Sequence, residues 1–136
     1  MNSVNITDEE FTNSETYKKF MEENPGRGHL AIRAYAAGGA VPISNLAVEV
    51  SKVIDNIKVI FFKGQTNESG IIERIALPAP KQDLNDLNVP LSTSYEITAT
   101  YLPNNTILSY FINIYDNICV LQNISITPEV TERNEI

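Results

Sequence analysis

Residues 29–51 read HLAIRAYAAGGAVPISNLAVEVS, and their alternation constrains the fold more than anything else in the chain. Leu30, Ile32, Ala34 and Ala36 fall on one face of an extended segment, with His29, Arg33 and Tyr35 on the other. An apolar period of two is the pattern of a half-buried strand. Ala37-Gly38-Gly39-Ala40 breaks it, and Val41-Pro42-Ile43 leads into a second alternating run, Leu46, Val48 and Val50. Pro42 has no N–H to give to a ladder, which places it at a strand edge or in the connection. The stretch therefore reads as two short strands joined by a Gly-rich corner.

The chain continues in the same manner. Residues 56–65 carry Val59, Ile60, Phe61 and Phe62, apolar on both faces, as in a central strand. Asn67-Glu68-Ser69-Gly70 is a turn, and residues 71–77 form a fourth strand that Leu77-Pro78-Ala79-Pro80 ends. Residues 81–93 make a polar loop with Asp83, Asn85, Asp86, Asn88 and Pro90, longer than most connections. Tyr95, Ile97, Ala99 and Tyr101 alternate as a fifth strand. Residues 107–115 and 118–127 form the last pair, with Asp116-Asn117 as a hairpin turn. Seven short strands at this spacing predict an all-β, antiparallel sandwich of Greek-key type.

Residues 1–26 differ from the rest. Thr7-Asp8-Glu9-Glu10 has the form of a capping box with acids in the first turn. Phe11, Tyr17, Phe20 and Met21 supply an incomplete helical stripe, which Asn24-Pro25-Gly26 stops. Asn13 and Ser14 weaken its middle, so a start near Ser14 also fits. The expected organisation is a helical segment at 1–26, a β-sandwich at 27–128 and a charged, fraying tail at 129–136.

Charge excludes several classes of partner. The net charge is −7, and the ten basic residues are scattered, with Lys18-Lys19 as the close pair. Phosphate recognition needs clustered Lys and Arg, so neither nucleic acid nor an anionic membrane surface is expected. No apolar run approaches the roughly 18 residues of a membrane span. The start, MNSVNITDEEF, lacks the basic and apolar regions of a conventional secretion signal. The chain is therefore expected to stay in the cytoplasm or to leave the cell by a non-classical route. The single cysteine, Cys119, cannot form an intrachain disulfide and is expected as a small buried hydrophobe.

Several segments together resemble the transthyretin-like β-sandwich domains labelled carboxypeptidase regulatory-like, relatives of the Cna B-type domains of Gram-positive surface proteins. The carriers are residues 28–32 (GHLAI), 40–50 (AVPISNLAVEV), Thr66-Asn67-Glu68-Ser69-Gly70, Leu77-Pro78-Ala79-Pro80, Pro90-Leu91 and residues 95–99 (YEITA), closed by 113–117 (NIYDN) and Gln122-Asn123-Ile124. The order is similar to a version found in spore-forming Firmicutes, in small proteins and in the N-terminal parts of spore cortex-lytic enzymes. The resemblance spans residues 26 to 128 and implies a seven-stranded transthyretin-like sandwich. Two features depart from it: Tyr101-Leu102-Pro103-Asn104-Asn105 replaces the usual Gly-Tyr pair, and Asp116-Asn117 replaces Asp-Gly, which still permits φ > 0. Cna B-type domains often carry a Lys–Asn isopeptide. The first strand here has Arg33 and no lysine, so none is expected despite Asn123 on the last strand.

Catalytic patterns are lacking. His29 is the lone histidine, and with Cys119 it falls short of a zinc-binding set. The sequence holds no P-loop, nucleophile elbow or dinucleotide fingerprint. Asp83 and Asp86 lack the spacing of a dedicated calcium loop. No cofactor and no metal are expected. The candidate interaction residues are Phe11, Tyr17 and Phe20 on the helix, Tyr35, Tyr95, Tyr101 and Tyr110 on strands, and Asp83 and Asp86 in the loop. The function expected is a non-catalytic structural or protein-interaction module that meets other proteins or copies of itself. The alternative is a peptidoglycan-binding module that targets a separate wall-lytic enzyme, with tyrosines stacking on sugar rings.

Overall fold

The computed structural model describes residues 3–82 and 91–127. These form nine strands in two sheets and two short helices. In chain order the elements are β1 (Ser3–Asn5), α1 (Glu9–Thr12), α2 (Glu15–Glu23), β2 (Gly26–Ala36), β3 (Val41–Pro42), β4 (Ala47–Ile54), β5 (Ile57–Gln65), β6 (Ile71–Ala79), β7 (Ser92–Tyr101), β8 (Thr106–Tyr115) and β9 (Cys119–Ser125). The first sheet runs β1-β5-β4-β7-β8. The second is centred on β2, with β6 and the short β3 antiparallel to it and β9 parallel. Seven strands fall where the alternation puts them, and β1 and β3 are additional.

One core joins the layers. Leu30, Ile32 and Ala34 of β2, Ile75, Leu77 and Ala79 of β6, and Ile124 and Ile126 at the end of β9 contribute from one side. Val48 and Val50 of β4, Tyr95, Ile97 and Ala99 of β7, and Ile112 and Ile114 of β8 face them. Each set follows the period-two alternation, so apolar burial selects the register of every long strand.

Three expectations about strands need correcting. Asp116-Asn117 does not close a paired hairpin, because β8 pairs with β7 in the first sheet and β9 with β2 in the second. The turn is bound to β2 instead: the Arg27 N–H donates to Asp116 Oδ1 at 3.1 Å, and the Asn117 N–H donates to the Arg27 carbonyl at 2.9 Å. Asn117 has the expected positive φ, 62°. The chain thus crosses between layers here, and β9 arrives parallel to β2 rather than antiparallel. Second, Phe61 and Phe62 do not mark opposite faces. A register shift between Val50 and Ser51 falls beside them, and both rings pack against the one core; a bulge of this kind re-aims side chains. Third, Pro78 does not end its strand. It lies opposite Arg27, on a strand whose other side meets no strand among the described residues, where a missing N–H is tolerated.

The N-terminal segment is more divided than its apolar stripe suggests. Ser3–Asn5 adds to β5 as a short parallel strand. Asp8, not Thr7, caps α1, its carboxylate accepting from the Glu10 N–H at 3.0 Å. Thr7 is taken up by the side chain of Asn5, which accepts from both its N–H and its hydroxyl. The same Asn-x-Thr device recurs at Asn104 and Thr106 before β8. Ser14 caps α2, so the weak point at Asn13-Ser14 is a true helix boundary.

Candidate functional site

Most residues singled out for a partner are turned onto their own chain. Phe20 is 5% exposed and belongs to the core. Its ring centroid lies 5.7 Å from that of Phe61, which in turn lies 5.2 Å from Tyr95. Phe11 is also buried, with Tyr17 edge-on at 5.6 Å. The helix is fastened from beneath: Asn24 Nδ2 donates to the Phe20 carbonyl at 2.9 Å, and Asn24 Oδ1 accepts from the buried Thr93 hydroxyl. The Thr16 hydroxyl adds a bond to Asp55 at 3.2 Å. Phe11 and Phe20 are therefore packed within their own chain.

The tyrosines do not assemble into a stacking face. Tyr95 is 1% exposed, its hydroxyl donates to the Pro78 carbonyl, and burial raises its pKa. It holds the two layers together and is unavailable to a ligand. Tyr101 and Tyr110 are half-buried against the core. The Tyr110 hydroxyl is pushed above its ordinary pKa first by burial and second by the charge on Tyr35. Tyr35 is half-buried, with the Arg33 guanidinium 4.8 Å from its ring centroid. Asp83 and Asp86 lie outside the described residues. Cys119 departs from expectation in the other direction. It is exposed, because its position on β9 points away from the core. It stands opposite His29 in the parallel ladder, and His29 Nε2 lies 3.3 Å from the Arg74 guanidinium.

What the fold leaves open is the edge formed by β8. This strand pairs with β7 over ten positions without a register shift, and among the described residues no strand pairs with its other side. Its sequence, TILSYFINIY, contains no charge and no proline. Leu108, Tyr110, Ile112 and Ile114 turn toward the core, leaving Ile107, Ser109, Phe111 and Asn113 outward. Phe111 is 74% exposed and Ile107 66%. Between residues 97 and 127 the chain carries one charged side chain, Asp116, and that carboxylate is buried and occupied by backbone N–H groups. Neither Phe111 nor Ile107 stands out in the sequence. The available signal is that the second register of 107–114 carries Ile107 and Phe111 among Ser109 and Asn113, with no charge.

Beside this edge the outer face of the first sheet becomes polar in steps. One register row runs Ile107, Thr100, Ala47, Gln65, and the next runs Ser109, Thr98, Glu49, Lys63. Ala47, Glu49, Lys63, Gln65, Thr98 and Thr100 surround a shallow hollow of about 380 Å³. Glu49 bonds Lys58 at 2.7 Å and lies 3.9 Å from Lys63. The Ser109 hydroxyl donates to Glu96 at 2.6 Å.

Fold and site together define a class: a two-sheet β domain with a fastened N-terminal helix and an open apolar edge strand. No protein-family model and no curated protein matches the chain.

Proposed function

We propose that this chain is a non-catalytic structural or protein-interaction module, a transthyretin-like Greek-key sandwich of seven main strands with β1 and β3 added at its margins. It acts by offering the β8 edge to an extended strand. The observation that carries this reading is the ten-residue, uncharged edge with Phe111 and Ile107 exposed. An unpaired row of N–H and C=O groups is a template for strand addition, and alternate outward side chains supply specificity. Two polar side chains are in structural use, Asp116 binding the backbone of β2 and Tyr95 tying the layers. The resemblance to carboxypeptidase regulatory-like domains of spore-formers supports an envelope or spore setting.

A second reading, binding to peptidoglycan on behalf of a separate lytic enzyme, is favoured by the hollow on the first sheet. Thr98, Thr100, Gln65 and Glu49 there offer hydroxyl, amide and carboxylate partners to a polar chain. Sedimentation with and without vegetative and spore peptidoglycan sacculi separates the two. Association that does not depend on sacculi supports the interaction module. Saturable pelleting on sacculi, reduced by Thr98→Ala and Thr100→Ala together, supports the second. A monomer that neither pellets nor retains a protein in pull-down sinks both.

A further inference from the structure

The edges of the two sheets are not equivalent. The β1 edge is three residues long. The β6 edge carries Glu73, Arg74 and Pro78 and a register shift between Leu30 and Ile32 on its partner, all devices that discourage pairing. The β9 edge is uncharged but shorter, at seven residues. The β8 edge has ten residues and none of these protections. A run of high β-propensity without charge, Pro or Gly is the kind that pairs with an extended chain.

Two observations identify the occupant. The first is charge. A molecule of net charge −7 repels its own copies, yet 97–127 carries only the buried, occupied Asp116. Within β8 itself two copies bring no like charges together; the nearest carboxylate is that of Glu96 on β7, which accepts from the Ser109 hydroxyl at 2.6 Å. The second is self-complementarity, which a two-fold interface requires. Ile107 and Phe111 are the exposed apolar residues of β8 and are placed symmetrically about Ser109. An antiparallel pairing centred on Ser109 sets Ile107 against Phe111 of the second copy, and Phe111 against its Ile107. Aromatic against β-branched is a favourable cross-strand pair, and here it forms twice.

We propose that the chain forms a two-fold dimer by antiparallel pairing of β8 with β8 of a second copy, centred on Ser109, which makes one continuous ten-stranded sheet from two five-stranded ones. This rests on the interaction-module reading and names its partner and register.

The test uses the full chain in sedimentation equilibrium. Wild type is expected to dimerise reversibly on concentration. Phe111→Lys and Ile107→Lys are each expected to raise the dimer dissociation constant by roughly tenfold or more while leaving far-ultraviolet circular dichroism unchanged. In a Cys119→Ser background, Ser109→Cys is expected to form a covalent dimer under mild oxidation, and Val53→Cys, exposed elsewhere, is not. A wild-type chain that stays monomeric overturns the proposal, and the interaction-module reading then rests on the sacculus and pull-down experiments. A dimer indifferent to both Lys substitutions, or one in which Ser109→Cys cross-links no better than Val53→Cys, overturns the β8 pairing but leaves the broader reading intact.

Discussion

The Tyr95 hydroxyl, on β7 of one sheet, donates to the Pro78 carbonyl on β6 of the other. A phenol buried in this way resists ionisation, and its pKa is raised above the ordinary 10.0. The folded state then holds a proton that the unfolded chain releases, so the stability tied to it is complete below pH 10.0 and declines as pH rises further. Tyr95→Phe loses the hydrogen bond and is expected to cost about 1 kcal/mol near neutrality. That deficit shrinks above pH 10.0, because the variant no longer pays to keep a buried phenol protonated. Urea unfolding at neutral and alkaline pH measures both. A deficit that does not change with pH would remove Tyr95 from the alkaline transition.

Phe20 and Phe111 are a matched contrast, one aromatic buried and the other 74% exposed. Phe20→Ala is expected to destabilise by about 3–5 kcal/mol. Phe111→Ala is expected to stay within about 0.5 kcal/mol in the monomer. Denaturant unfolding of dilute protein distinguishes them. Similar losses at the two sites would mean that the helix is not fastened as described.

Gly28 lies where β2 passes beneath the end of β8. A Cβ there would sit 2.2 Å from the Tyr115 carbonyl oxygen and 2.7 Å from Ile114 Cγ2. Gly28→Ala is expected to cost about 1–3 kcal/mol through overpacking, read from the unfolding midpoint. A neutral effect would show that the two strands can separate there at little cost.

Cys119 is expected to react with a bulky thiol reagent in the native protein, at a rate similar to that in denaturant. Protection in the folded state, relieved only on unfolding, would contradict its exposed position on β9.

The long strands were legible because their apolar faces alternate, and Leu30, Ile32, Ala34, Ile97 and Ala99 are buried as that alternation requires. What was hidden depends on neighbours rather than on local pattern. Nothing in Phe61-Phe62 announces a bulge, because the register shift belongs to the pairing of β4 with β5. Nothing in Asp116-Asn117 says that the turn leaves one sheet for the other, since its anchor is the distant backbone of Arg27. Tyr95 and Phe111 are both strand aromatics; which one is buried follows from the face each occupies and from β8 having, among the described residues, one neighbour instead of two. Aromatic residues are legible in the sequence, and which of them line an edge is not.

The parallel pairing of β2 with β9 has a mechanical consequence. Seven register pairs, from His29 with Cys119 to Tyr35 with Ser125, join the first long strand to the last. Tension between the start of β2 and the end of β9 pulls along the length of this ladder, since the two points lie at its opposite ends. All of its rungs are then loaded in shear at once, whereas an antiparallel pair held at its open end peels one rung at a time. Pulled along its own chain in this way, the domain is expected to rupture at a higher force than its thermal stability alone would suggest.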